Sequence, residues 1–181
     1  YALRTNQSSI ERHIDYDHYV RTFTPGEFTL GGTAAFVNVP AADVFWPAIS
    51  FPDAADTEAL VSFDKPSEWR TGHIATRFWY TSDVGSTNNF RVNVRLHGIR
   101  QTEVLPGTSL RNQADLYAGP AVANTVILSP VLYTSVILGS DDELFSVRVR
   151  RTGTHADDNN VNALQVLYVR LEHIPAVQVS E

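Results

Sequence analysis

The chain has 181 residues, of which 43% are hydrophobic and 19% charged, the composition of one globular domain and not of a disordered or membrane-embedded chain. It contains no cysteine, which excludes a disulfide framework, a thiol nucleophile and any thiolate metal site. A formal net charge of -6 argues against nucleic acid as a bulk electrostatic partner, and no apolar run approaches the ~18 residues of a membrane span.

Residues 1–50 read as an amino-terminal arm and residues 51–181 as a β-sandwich domain. Ser8-Ser9-Ile10-Glu11 has the form of a capping box, and Tyr16, Tyr19, Val20 and Phe23 then recur at helical spacing, a pattern compatible with one short helix. The stretch from Val39-Pro40 to Phe51-Pro52 combines prolines with Val44, Phe45, Trp46, Ile49 and Phe51. That composition suits an extended segment lying against an apolar surface.

From there the dominant period is two. Strands are expected at Phe28–Val37, Glu58–Asp64 and His73–Thr81. The clearest runs from Asn89 to His97, with Phe90, Val92, Val94 and Leu96 on one face and Arg91, Asn93, Arg95 and His97 on the other. Further strands are expected at Ile99–Val104, Val122–Leu128 and Val131–Leu138. Leu144 to Arg151 alternates again, Phe145, Val147 and Val149 inward against Ser146, Arg148 and Arg150, and near the end Leu167, Val169 and Leu171 alternate with Tyr168, Arg170 and Glu172. Gly, Pro, Asp and Asn clusters punctuate these runs, as in Pro25-Gly26, Gly31-Gly32 and the loop from Thr152 to Asn160. Many short strands separated by such turns predict an all-β antiparallel sandwich of jelly-roll type, with an extended amino-terminal arm.

Chemical motifs are sparse. His13, Asp15, Asp17 and His18 have metal-ligand chemistry, yet the same pattern suits a polar helix face or turn. Asp141-Asp142-Glu143 and Asp157-Asp158-Asn159-Asn160 offer oxygen ligands without the spacing of a calcium loop, and acidic turns at strand ends are the commoner explanation. No Gly-x-Ser-x-Gly elbow or His-Glu-x-x-His helix occurs. Asp56, Glu58, Glu68 and Glu103 are candidate carboxylates for glycoside hydrolysis only in the sense that their separation is a tertiary property. The expectation is no catalytic residue, no cofactor and no metal. An outward row of Arg91, Arg95, Arg148, Arg150 and, by the same parity, Arg170 would share one sheet face if the strands pair. Such a row is either a solvated face balanced by acids or a docking face for an acidic neighbour.

The segment FPDAADTEALVSFDKPSEWRTGHIATRFWY resembles a module of tailed-bacteriophage structural proteins in which a strand leads into a Trp-x-x-Gly turn, here Trp69 and Gly72, and then an aromatic-rich strand, here Phe78, Trp79 and Tyr80. The ending ELFSVRVRRTGTHADDNNVNALQVLYVRLEH is similar to that module's last hairpin. The resemblance implies a jelly-roll-like β-sandwich on the virion surface, a non-enzymatic capsid decoration or head-fibre subunit. It would assemble as a homotrimer and attach to a capsid or fibre protein. Val44, Phe45, Trp46, Ile49, Phe51, Arg91, Arg95, Arg148 and Arg150 are the candidate interface.

The alternative is a carbohydrate-binding jelly roll, a receptor-binding tip or lectin-like module with a glycan as partner, and a glycan-degrading enzyme is a third reading. Trp46, Trp79, Tyr117 and Tyr133 discriminate among these: buried rings favour a scaffold, whereas a coplanar exposed pair beside a carboxylate favours sugar.

Overall fold

A computed structural model describes residues 20–41, 44–69, 71–102, 104, 107–134, 138 and 141–175. Over these, two antiparallel sheets pack face to face as a sandwich. The strands are β1 (Val20–Phe23), β2 (Thr29–Gly31), β3 (Ala35–Ala41), β4 (Val44–Phe51), β5 (Asp56–Asp64), β6 (Gly72–Ser82), β7 (Asn89–Arg100), β8 (Thr108–Ala118), β9 (Ile127–Leu128), β10 (Leu132–Tyr133), β11 (Asp142–Thr152) and β12 (Leu164–Pro175). One sheet has seven strands in the order β10-β6-β12-β4-β3, with β1 added to β12 and β9 to β6; the other has five, β2-β5-β11-β7-β8.

Alternation builds the core. Phe90, Val92, Val94 and Leu96 of β7, Phe145, Val147 and Val149 of β11 and Val61 and Phe63 of β5 meet Ile74, Phe78 and Tyr80 of β6 and Leu164, Val166, Val169 and Leu171 of β12. Trp69 closes one end of this core, stacked on His173 at 5.8 Å and edge-on to Phe63 and Phe145. The Trp-to-Gly turn has a steric reason as well, since a Cβ on Gly72 would lie 2.2 Å from the Ile174 carbonyl oxygen.

Several sequence expectations need correction. Ser8 to Tyr19 lies outside the described residues, while Val20 and Phe23, expected on a helix, belong to a strand paired with Val169–Glu172. The described part of the supposed arm belongs to the sandwich: β1 to β4 contribute to both sheets, and Phe23 and Phe28 are buried among the core rings. The Val39-to-Phe51 segment is the β3–β4 hairpin.

Leu167 does not join Val169 and Leu171 in the main core. A register shift between Val166 and Tyr168 sends it to the outer face, where it packs with Val39 and Ala48. Of the strands expected at Val122–Leu128 and Val131–Leu138, the described residues form Ile127–Leu128 and Leu132–Tyr133.

Strand β8 had no expectation at all, because the positions that pair with Leu96, Val94 and Val92 are Arg111, Gln113 and Asp115, which interrupt the apolar alternation between the buried Leu110 and Tyr117. Inward-facing charge is one way an edge strand is kept from pairing with another chain. Here the buried Arg111 donates Nη2 to Asp115 at 2.6 Å and Nη1 to the Tyr133 carbonyl at 3.0 Å, while its Nε has no hydrogen-bond partner among the described residues.

Candidate functional site

The two outer faces of the sandwich carry different chemistry. On the seven-stranded sheet, register sets Trp79 beside Tyr168, Arg77 beside Arg170, and Ala75 beside Glu172. Paired residues project to the same side, and Val166 and Val169 point into the core, so Tyr168, Arg170 and Glu172 point out. Trp46 of β4, Thr22 of β1, Val126 and Leu167 complete a trough of about 430 Å³ around Trp79 and Tyr168. Val37, Val39 and Ala48 pack beneath as a second apolar cluster. Trp46 keeps 46% of its surface exposed, while Trp79 is held half-buried, edge-on to Tyr168 with ring centroids 6.5 Å apart.

Further along the same two strands a second hollow, about 250 Å³, is lined by Arg77, Tyr133, Arg170 and Glu172. Arg170 and Glu172 form an ion pair at 3.6 Å, and the buried Arg170 Nε has no hydrogen-bond partner among the described residues. From the Trp79–Tyr168 pair to the Ala75–Glu172 pair is four residues of strand, roughly 13 Å. An apolar ring trough therefore runs into a row of charged donors and acceptors.

Of the four discriminating aromatics, Tyr117 is a core residue. Burial, then the Asp115 charge, pushes its phenol above the ordinary value, and its ring packs edge-on to Phe78 at 5.0 Å. Trp46 and Tyr133 are exposed and Trp79 partly so. The Trp79 and Tyr168 planes cross at 88°, so the pair is not coplanar: the site is a trough with a ring for a wall. Tyr168, Arg77 and Glu172 went unsuggested as site residues, although the alternation that faces Tyr168 outward was readable.

The five-stranded sheet carries Arg91, Arg95, Arg148 and Arg150 on one outer face, as the strand parity predicted. Arg170 does not share it, lying on the opposite sheet. Arg148 pairs with Glu58 at 3.1 Å, Arg150 with Asp56, and Arg91 with Asp157 at 3.3 Å. Ile49 and Phe51, read as interface residues, are instead buried in the domain's own core, whereas Val44, Phe45 and Trp46 stay exposed.

Of the candidate carboxylates, Asp56 and Glu58 are each engaged by an arginine. Partial burial acts to raise the Asp56 pKa, but hydrogen bonds from Thr154 and Arg150 and the Arg150 charge outweigh it and hold the carboxyl below the usual range, the wrong direction for a general acid. Glu58 is engaged by Arg148, Glu68 is exposed, and Glu103 lies outside the described residues. The Asp157-Asp158 loop has a different use. Asp158 is buried, and both its oxygens accept from the Arg151 guanidinium, at 2.8 and 2.9 Å. Asp142 is likewise buried and accepts from Arg100 at 3.2 Å. His13 to His18 lie outside the described residues. Among the described residues no cluster of three or more His, Asp or Glu could hold a metal ion, and no helix is long and apolar enough to cross a membrane.

No family model and no curated protein matches the sequence. Solved structures do match the fold. The chain is similar to a family 35 carbohydrate-binding module from Clostridium thermocellum, with a TM-score of 0.57 and 13% identity over 84% of this chain and 97% of that one. It is similar also to the family 35 module of Cellvibrio japonicus Abf62, with a TM-score of 0.55 and 10% identity over 88% of this chain and 95% of that one. A third is the C-terminal family 6 module of LamC from Zobellia galactanivorans, with a TM-score of 0.51 and 8% identity over 85% and 99% of the two chains. The likeness is one of fold: these modules and this chain share a jelly-roll β-sandwich.

Proposed function

We propose that this domain is a non-catalytic glycan-binding module whose site is the outer face of the seven-stranded sheet. The observation that carries the reading is the trough of Trp46, Trp79 and Tyr168 opening onto Arg77, Arg170, Glu172 and Tyr133. A sugar ring has one face of C–H groups and an equatorial rim of hydroxyls. It asks for an aromatic surface with hydrogen-bonding groups at its edge, and apolar clefts with a few convergent polar groups are the usual form of small-ligand sites. The carbohydrate-binding modules among the fold neighbours support the same reading.

The test is affinity electrophoresis and calorimetry against a panel of neutral polysaccharides and their oligomers. Trp79→Ala and Trp46→Ala are each expected to weaken binding about 30-fold, the ~2 kcal/mol of an aromatic hot spot. Circular dichroism must show both variants folded. Binding that survives in the double variant would remove the site, and failure of the whole panel would remove the function.

A second reading, a virion part that self-associates as a homotrimer on a capsid or fibre protein, is favoured by the β3–β4 hairpin. Phe36 and Phe45 have the parity of the core residue Ile49 yet are 55% and 67% exposed, beside an exposed Val44. Apolar groups of this size left in water mark an association surface. On that reading the protein sediments as an oligomer and Phe36→Ser with Phe45→Ser makes it a monomer; sedimentation of the unaltered protein as a monomer at every concentration rejects it.

A further inference from the structure

The second outer face, across β5, β11 and β7, has a feature that neither reading uses. Arg148 of β11 stands directly between Leu60 of β5 and Arg95 of β7, so two guanidinium-bearing residues are cross-strand neighbours. Like charges directly opposite are destabilising. Burial first, and then Arg95, lowers the Arg148 pKa, against which Glu58 acts, with Arg150 adding to the lowering.

The ion pairs do not cancel this charge. Glu58 engages Arg148 through Nη1 alone, and Asp56 is taken by Arg150. Arg148 Nε and Nη2 are buried without a hydrogen-bond partner among the described residues. Arg95 donates Nε to Asn93 Oδ1 at 3.2 Å and has no ion pair among the described residues. Arg95 is therefore in surplus by one positive charge, and the donors of Arg148 are only partly used.

Glu58, Arg95, His97 and Arg148 line a groove of about 510 Å³, completed by Leu60, Ile99 and Leu144 as apolar patches and Ser62 and Ser146 as small polar ones. Its size falls within the roughly 300–1,000 Å³ of small-ligand clefts. Shape and composition suit a compact occupant with apolar faces, and the charge surplus suits a single negative group. A dianionic phosphate or a run of acidic residues would bring more charge than the face can answer, against the repulsion of a chain with net charge -6.

We propose that this groove is a second saccharide site, selective for a sugar unit carrying one charged substituent, a carboxylate or a sulfate ester, held between Arg95 and Arg148. The saccharide carrier rests on the glycan-binding reading, whereas the charged group rests on the arginines. The two sites lie on opposite sheets, so they can be lost separately.

The probes are a galacto-oligosaccharide carrying one galacturonate unit for the carboxylate, a singly sulfated galacto-oligosaccharide for the ester, neutral galactotriose, and a short oligoglutamate peptide, all titrated by calorimetry at about physiological ionic strength. Binding of at least one charged oligosaccharide is expected, at least about tenfold tighter than galactotriose, the scale of one charge-assisted hydrogen bond. Which of the two binds tells carboxylate from sulfate. Arg95→Gln with Arg148→Gln should remove that preference while leaving the melting temperature unchanged or higher, since a like-charge pair is relieved. Trp79→Ala should leave the preference intact. If the charged and neutral oligosaccharides bind alike, if the arginine variant keeps the preference, or if oligoglutamate binds as tightly as the sugars, the inference falls. Should Trp79→Ala have no effect on any neutral glycan while the arginine variant abolishes the charged one, this groove stands and the aromatic trough does not.

Discussion

Replacing Arg151 by methionine is expected to cost the domain about 3–5 kcal/mol of stability, because one member of a buried ion pair is removed and the other is left without compensation. Arg151 is 0% exposed and every guanidinium donor is engaged. Nε and Nη2 grip Asp158 through both carboxylate oxygens; Nη1 donates to the carbonyls of Phe51 and Asn162 at 3.0 and 2.6 Å; Nη2 reaches Asp53 at 3.1 Å and also the Asn160 carbonyl. The Phe90 ring lies 5.0 Å from the guanidinium carbon.

One side chain thus ties the end of β4, the loop before β5 and the loop before β12 to β11. Asp158 in turn accepts the Arg91 backbone N–H at 3.0 Å, extending the network to β7. At roughly 2–4 °C per kcal/mol for a domain of this size, the melting temperature should fall by roughly 6–20 °C. Lysine should not rescue it, since a point ammonium cannot reproduce a fork directed at so many acceptors. Removing both charges, as Arg151→Met with Asp158→Leu, should recover part of the loss, and urea titration of the single and double variants measures the coupling. A single variant within ~0.5 kcal/mol of the parent would show that the network contributes nothing net.

Val94→Asp should abolish folding outright. Val94 is 1% exposed, paired with Val149 on β11 and flanked by Val92 and Leu96 in the main core. The substitution loses the ~1.5–3 kcal/mol of a buried valine and sets a carboxylate among apolar side chains at a cost of several kcal/mol more. Against the ~5–15 kcal/mol that holds an ordinary domain together, that is enough. Arg95→Asp, one residue along, should leave a cooperatively folding protein, because Arg95 points to the outer face and an aspartate there meets Arg148 as a partner. Circular dichroism and denaturant titration of the pair separate the faces of β7. A soluble, cooperative Val94→Asp domain would mean that the strand faces the other way.

Period-two alternation in β5, β7 and β11 determined, from residues alone, that this is a β-sandwich and which side of each strand is core, because a half-buried strand has a period no helix shares. The same parity placed four of the arginines on one face. Arg151 continues the inward parity of Val147 and Val149, a position not singled out from the sequence, and alternation carries no information about what would neutralise a buried charge. Asp158 and the carbonyls of Phe51, Asn160 and Asn162 reach Arg151 from separate loops, and only the tertiary structure brings them there. Strand β8 escaped notice because Arg111, Gln113 and Asp115 interrupt its apolar alternation, and the Tyr133 carbonyl that receives Arg111 is brought there only by the fold. The trough depended likewise on a β-bulge that moves Leu167 outward and on the pairing of β12 with both β4 and β6, which sets Trp46 near Trp79. Strand order and register are long-range choices made by packing, and a site assembled across them becomes legible only when the strands are in place.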